Sequence, residues 1–330
     1  MYRPFARVAF RPQITGLEQV PDGGYLLLAN HTAMLDNLWV ASPLHRVVHI
    51  MTGAGRFANP VGGALLRWFN CFPKQVGGRD RGAVDQVKAL LDAGQVVHIM
   101  PEGTRTWDGR LQTIRPTIGA LAAACGKPVV LCKVKTGHLI WPRWGKVPRY
   151  LPLQMEYQVL ETRGVDPDTL WRQIVDGLTL DEAVDLGSAA TWARNPAQGL
   201  ETYLWACPHC FARATFSQGA TFGCSACGSR WQVTVDQRML GEHPTTVRQA
   251  WDAIEEHFGD PPVVGETEVL RSAAVITDVK TGEVLVDGSI TVDEHGLHAE
   301  GWSLPFTDLD RLYMDAGNVV ILRTPRGNLK

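Results

Sequence analysis

The sequence predicts an N-terminal α/β domain with a mixed, largely parallel sheet flanked by helices, then a small cysteine-paired module and a β-rich C-terminal region. Three observations carry this. Short apolar runs at 24–29, 47–51 and 95–100 are bounded by turn residues, as buried strands are. Two Cys-x2-Cys pairs, Cys207/Cys210 and Cys224/Cys227, follow far downstream. Beyond Val269, β-branched runs alternate with turn residues.

The run 24–29 lies behind a Pro21-Asp22-Gly23-Gly24 turn and ends at Asn30, so His31 leaves the carboxyl end of a strand. Asp36 follows five residues later. Histidine with a nearby carboxylate is the usual apparatus for taking a proton from a hydroxyl: neutral imidazole accepts it, and the carboxylate fixes the tautomer. No serine or cysteine nucleophile accompanies the pair. Residues five apart do not share a helical face, so the turn between them must be partly irregular for Asp36 to reach His31.

The next strand, Val47–Met51, precedes Gly53-x-Gly55-x-x-Ala58. A dinucleotide site is rejected there, because Pro60 falls in the first turns of the required helix and no acidic residue ends a strand about twenty residues on. After Pro60 the chain can be helical. It combines Leu65, Leu66, Trp68, Phe69 and Phe72 with Arg67, which fits an interfacial helix or a helix packed on the sheet.

Gln95–Met100 is a strand that Pro101 ends, and Glu102, Gly103, Thr104 and Arg105 form the loop after it. This second motif also lies at a strand's carboxyl end, where open α/β sheets bind ligands. Val96–Met100 repeats Val47–Met51 as Val-Val-His-Ile-Met, but five residues are too few for a structural repeat. His49 and His98 read as satisfied histidines in buried strands. No Gly-x-Ser-x-Gly elbow and no Walker A loop occur.

His-x4-Asp after a strand, followed by Glu-Gly-Thr-Arg, resembles the glycerolipid acyltransferases, above all the lysophosphatidate (1-acylglycerol-3-phosphate) acyltransferases. Gly16-Leu17-Glu18-Gln19-Val20-Pro21, Gly77-Gly78-Arg79 and Lys127-Pro128-Val129-Val130 are similar to further family segments. The resemblance covers roughly residues 10–160. It implies that His31 deprotonates a glycerol hydroxyl, that Asp36 supports His31, and that the alkoxide attacks an acyl thioester of coenzyme A or acyl carrier protein directly. Arg79 and the Glu102, Gly103, Thr104, Arg105 loop would hold the acceptor phosphate. The implied acceptor is a lysophospholipid, foremost 1-acyl-sn-glycerol 3-phosphate, with glycerol 3-phosphate or a head-group lysophospholipid as alternatives. A non-catalytic membrane-recruitment protein on the same fold is the different-class alternative, and intact His31, Asp36, Glu102 and Arg105 argue against it.

The chain has 330 residues, 45% of them hydrophobic, enough to bury a sizeable core in two or three domains. Its net charge of -2 hides an asymmetry: residues 1–149 carry 19 Lys+Arg against 8 Asp+Glu, and residues 150–330 carry 13 against 26. A basic half suits an anionic partner such as lysophosphatidate, coenzyme A or an acidic bilayer. No nucleic-acid motif is present, so no nucleic-acid partner is expected. No run of 18 apolar residues and no signal-peptide core occur. The expected location is cytoplasmic, peripheral on the inner face of the membrane.

Cys207-Pro208-His209-Cys210 and Cys224-Ser225-Ala226-Cys227-Gly228, with 13 residues between them, can supply four thiolates to a tetrahedral structural zinc. Disulfides are the alternative. Cys71, Cys125 and Cys132 are scattered and no secretory signal is present, which favours zinc. His209 is expected to be exposed and not a ligand.

These readings divide the chain into an acyltransferase domain (1–162), a helical linker (163–200), a zinc ribbon (201–240), an amphipathic helix (241–262) and a β-rich module (263–330). Leu151–Leu160 reads as the last strand of the first domain, and Asp166-Pro167-Asp168 caps a helix from about Thr169 to Leu178. Asn195-Pro196 breaks further helix. Thr245 or Thr246 caps a helix whose stripe is Val247, Trp251, Ile254 and Phe258, ended by Gly259-Asp260-Pro261-Pro262. In the last module Lys280-Thr281-Gly282, Asp287-Gly288 and His295-Gly296 read as turns. The module weakly resembles part of a pleckstrin-homology barrel, but after the strand Asn318–Thr324 the sequence given holds no closing helix.

Overall fold

The computed structural model describes residues 10–57, 59–75, 80–180, 191–259, 270–278, 281, 283–293, 295–309, 311–314, 320–324 and 327–329. Arg79, with Gly77 and Gly78, lies outside the described residues. Strands β1 (Gln13–Thr15), β2 (Leu26–Ala29), β3 (Val48–Gly53), β4 (Cys71–Lys74), β5 (Val96–Ile99), β6 (Val129–Val134) and β7 (Gln154–Leu160) form one sheet, order β1-β7-β6-β2-β5-β3-β4. The run from β6 to β4 is parallel, whereas β7 is antiparallel to β6. Helices α1 (Asp36–Ala41), α2 (Pro60–Trp68), α3 (Arg81–Asp92), α4 (Thr117–Cys125), α5 (Gly137–Ile140) and α6 (Pro167–Leu178) accompany it.

The continuous apolar character of β2 follows from burial on both faces. Successive strand residues point to opposite sides. Leu27 and Ala29 join Phe10, Trp39 and Tyr157 on one side, while Leu26 and Leu28 meet Val87, Leu91 and Ile174 on the other. All four strand residues are fully buried. Each such leucine contributes roughly 1.5–3 kcal/mol on transfer from water.

Caps set the helix starts. The Asp80 carboxylate accepts from Ala83 N–H at 3.0 Å and opens α3, whose stripe is Ala83, Val87 and Leu91. Asp166 accepts from Asp168 and Thr169 N–H, so α6 begins at Pro167, slightly before the expected Thr169. Proline suits that first position because its missing N–H has no helical partner there. Strand β7 begins at Gln154, not Leu151; Pro152 has no N–H to give a ladder, although Leu151 and Leu153 are buried.

Strands β8 (Thr215–Gln218), β9 (Thr221–Cys224), β10 (Arg230–Val233), β11 (Arg238–Gly241) and β12 (Thr245–Thr246) make a second, antiparallel sheet. Helix α7 (Val247–Phe258) follows through a reciprocal cap: Thr246 Oγ1 accepts from Gln249 N–H, and Gln249 Oε1 accepts from Thr246 N–H, each at 3.1 Å. This sheet packs directly on the first domain. Buried Arg149 donates to the carbonyls of Val235 (3.0 Å) and Pro196 (2.6 Å), and Gln237 donates to His138 O (3.2 Å). The chain divides into two compact units, Met1–Ile254 and Glu255–Lys330.

The second unit contains the antiparallel sheet β13 (Leu270–Thr277), β14 (Val284–Val292), β15 (Gly296–Ala299), β16 (Trp302–Pro305), and a three-stranded one, β17 (Arg311–Met314), β18 (Val320–Thr324), β19 (Gly327–Leu329). Ile276, Val286 and Ile290 form its small core. The turn expected at Asp287-Gly288 is absent. Both residues stay in the ladder opposite Val275 and Ala274, which keeps Val286 and Ile290 on one face. His295-Gly296 does turn the chain, with Asp293 accepting from both amides. Of the Lys280-Thr281-Gly282 turn only Thr281 is described; Asn318, the start expected for the last strand, also lies outside the described residues.

Candidate active site

His31 and Asp36 meet where β2 ends. Asn30 ties that end to β6, accepting from Val134 N–H at 2.7 Å and donating to its carbonyl at 3.1 Å. The chain then makes an irregular turn before α1, and this turn closes the five-residue gap. Asp36 is fully buried, and one of its oxygens, Oδ2, lies 3.0 Å from His31 Nδ1. The same oxygen accepts from the amides of Thr32 and Ala33, while Oδ1 accepts from the Thr32 hydroxyl at 3.0 Å. These donors fix the carboxylate before any ligand arrives. With Nδ1–H donated to Asp36, Nε2 is the basic nitrogen, and the imidazole keeps 17% of its surface open.

The second motif closes onto the first. Glu102 Oε1 accepts from His31 N–H at 2.5 Å, its Oε2 accepts from Gln112 N–H at 2.6 Å, and Thr106 N–H donates to His31 O at 2.9 Å. Glu102 is thus a brace between the two loops. Burial pushes its carboxyl up to about 8, the amide hydrogen bonds pull it down, and Asp36 adds to the rise. Gly103 has φ 72 at the exposed loop tip, a conformation glycine adopts without strain. Thr104 Oγ1 accepts from Arg143 at 3.0 Å.

Arg105 is half-buried, and its guanidinium makes no hydrogen bond or ion pair with another described residue. Burial lowers its basicity; the Asp36 charge opposes that and the Arg56 charge adds to it. Arg56 follows β3 in a 3-10 turn, Ala54–Phe57, and is exposed. Arg143, absent from the sequence-based set, donates to Arg105 O at 2.7 Å and lies over the Trp107 ring at 4.4 Å. Its sequence context, Trp141-Pro142-Arg143-Trp144, gave no signal of this. His98 neighbours His31, and burial pushes it down to about 4. Its Nδ1 pairs with Leu27 O at 3.2 Å, but its buried Nε2 has no hydrogen-bond partner among the described residues, where the expectation of a satisfied histidine holds for one nitrogen alone.

Helix α2 begins beyond the carboxyl end of β3, the same end of the parallel strands from which His31 leaves β2. Val61 (80% exposed), Leu65 (54%), Trp68 (74%) and Phe69 (42%) remain uncovered, and Phe72, in β4, is the member of that segment that packs on the sheet. Met34, in the His31–Asp36 turn, is also exposed. No helix among the described residues is long and apolar enough to cross a membrane.

The acyltransferase family matches residues 11–135, a span that contains both motifs. The chain carries an acyltransferase-family domain. A Brassica napus protein described as 1-acyl-sn-glycerol-3-phosphate acyltransferase BAT2, chloroplastic, is 32% identical to this chain over 127 residues, 37% of this chain and 36% of that protein. The chain therefore spans about a third of the length of that curated relative. The crystal structure of the 1-acyl-sn-glycerophosphate (LPA) acyltransferase PlsC from Thermotoga maritima aligns with a TM-score of 0.43 and 19% identity, over 54% of this chain and 75% of that one.

Outside the acyltransferase domain, Cys207, Cys210, Cys224 and Cys227 converge, their Sγ atoms all within 4.8 Å of one another. The Cys207–Cys227 and Cys210–Cys224 pairs are 3.8 and 3.7 Å apart. A tetrahedron with metal–sulfur bonds of about 2.3 Å has edges of roughly 3.8 Å, so the four thiols fit one metal ion. The amides of His209 and Cys210 point at Cys207 Sγ at 3.4 and 3.5 Å, as they do around a coordinated thiolate. His209 is exposed and stacks on His243.

Proposed function

We propose that the protein transfers a fatty acyl group from a thioester, acyl-CoA or acyl-ACP, to the free hydroxyl of a lysophospholipid, foremost 1-acyl-sn-glycerol 3-phosphate. The observation that carries the reading is the buried Asp36 carboxylate on His31 Nδ1, which leaves Nε2 as base. His31 Nε2 takes the hydroxyl proton as the oxygen attacks the thioester carbonyl carbon. The carbon–sulfur bond then breaks, and the leaving thiolate takes the proton from the imidazolium. Arg105, whose guanidinium has no partner among the described residues, suits the acceptor phosphate, and Glu102 holds its loop against His31. Arg79 is assigned to the same phosphate on the family resemblance alone.

The exposed apolar face of α2, with Arg56 and Arg67 beside it, supports a peripheral site on an anionic bilayer, the cytoplasmic face of the inner membrane, from which a lysophospholipid is drawn. No nucleic-acid partner belongs to this reading. The four cysteines hold a structural zinc: all four positions are thiolates, leaving none open for chemistry. We retain the domain limits 1–162, 163–200, 201–240, 241–262 and 263–330 as functional divisions, with no commitment to a barrel for the last.

The test is direct. Purified protein is incubated with several acyl-CoAs and with lysophosphatidate, glycerol 3-phosphate or head-group lysophospholipids. Thiol release that depends on lysophosphatidate supports the assignment. Preference for another acceptor replaces that part of it, and no acyl transfer to any of them defeats it.

A further inference from the structure

Residues 100–116, between β5 and α4, have no regular secondary structure, yet they carry Glu102 to Arg105. Their geometry is set from outside. Trp107 stacks on Tyr203 with ring centroids 5.4 Å apart and planes within 1°, and Tyr203 stacks on Trp251 at 4.6 Å and 7°. Asp108 is buried one residue later; its Oδ2 accepts from Tyr203 O–H at 3.2 Å and Arg110 Nε at 2.6 Å. Arg110 reaches on to Asp252 at 2.5 Å. Tyr203 precedes the first cysteine pair and Trp251 lies on α7, so both belong to the appended module.

We propose that Tyr203 and Trp251 are positioning residues for acceptor binding, holding Trp107 and Asp108 and thereby fixing where Arg105 stands relative to His31. The proposal rests on the acyl-transfer reading above. The mechanical link is short: Arg143 lies over Trp107 while holding Thr104 Oγ1 and Arg105 O, and the amide of Thr106 is bonded to His31 O. Parallel aromatic pairs favour one geometry over the many a loop can adopt, so their loss loosens the loop while the bond from Asp36 to His31 Nδ1, made within 31–36, stays.

Tyr203→Ala, Tyr203→Phe and Trp251→Ala are compared with wild type by amide hydrogen exchange and by kinetics with lysophosphatidate and acyl-CoA. Both alanine variants should exchange faster across 102–112 while β2, β5 and β6 stay protected. The acceptor KM should rise roughly three- to ten-fold, with kcat and donor KM close to wild type. Tyr203→Phe keeps the stack and loses only the Asp108 hydrogen bond, so it should recover most of the acceptor KM. If Tyr203→Ala loses protection in the sheet as well, Tyr203→Phe and Trp251→Ala carry the comparison. Unchanged exchange in 102–112, equal rises in both KM values, or a phenylalanine variant no better than alanine overturns the proposal. Exchange needs no substrate, so wild-type protein inactive on every lysophospholipid sinks the reaction and the acceptor role, while loop exchange still reports whether the clamp exists.

Discussion

The two loops that build the site are held in opposite ways. The Asp36 carboxylate is held locally: it gathers His31, Thr32 and Ala33 within five residues, and all its side-chain partners are near in sequence. The 100–116 loop is braced from afar, by Arg143, Trp171, Tyr203 and Asp252. In the proposed reaction a base must keep its angle to a carboxylate, which a tight turn provides. A loop proposed to reach from that base to a phosphate must span the distance, and a segment of that length needs outside supports to lose its freedom.

The largest effect should come from breaking the locally held pair. His31→Ala should lose about 10²- to 10⁴-fold in acyl transfer with the fold retained. Asp36→Asn should lose nearly as much and also destabilise the protein, because an amide nitrogen at Oδ2 faces the Thr32 and Ala33 N–H groups. Near wild-type turnover in His31→Ala would refute the base.

Next comes the support of the braced loop. Structural zinc in small peptide sites contributes on the order of 10 to 16 kcal/mol of apparent binding free energy. Metal analysis should find one zinc per chain, and Cys207→Ser should melt the 201–240 sheet while β2 and the 30–36 turn keep their amide protection. Loss of protection in both regions alike would erase the contrast between the loops.

A smaller effect is read from pH. Glu102 has its carboxyl at about 8 in the folded chain against an ordinary 4.5. Between those values the folded protein holds a proton that the unfolded chain has released, so stability falls as pH rises through that window. Urea unfolding from pH 5 to 8 should show this fall, on the order of a few kcal/mol, and Glu102→Gln should remove the slope. Parallel pH profiles for the two proteins would show that the carboxyl is ionised throughout.

The smallest is Arg105→Lys. A lysine keeps the charge but loses the fork, so acceptor KM should rise about ten-fold with donor KM unchanged. Equal changes in the two KM values would place Arg105 on the donor side or in the structure alone.

This contrast also explains what the sequence could tell. The His31–Asp36 pairing was legible because both residues lie between 31 and 36, behind an apolar run with a turn before it. The convergence of the cysteines was legible for the same reason, since each Cys-x2-Cys half is four residues long. Arg143, Tyr203 and Trp251 were not, because their roles arise from contacts across many residues and no local period marks them. Asp287-Gly288 misled for the converse reason: a strong local turn signal yielded to the ladder that keeps Val286 and Ile290 together.

Tyr203 lies 95 residues beyond Asp108, and Asp252 lies 142 beyond Arg110. At ordinary rates of translation that interval is on the order of ten seconds. The growing chain therefore contains the 30–36 turn, Arg143 and Trp171 before Tyr203 and Asp252 are added. Until then Asp108 and Arg110 lack the two contacts that tie their loop to the later part of the chain, so this loop is among the last parts of the first unit to be fastened.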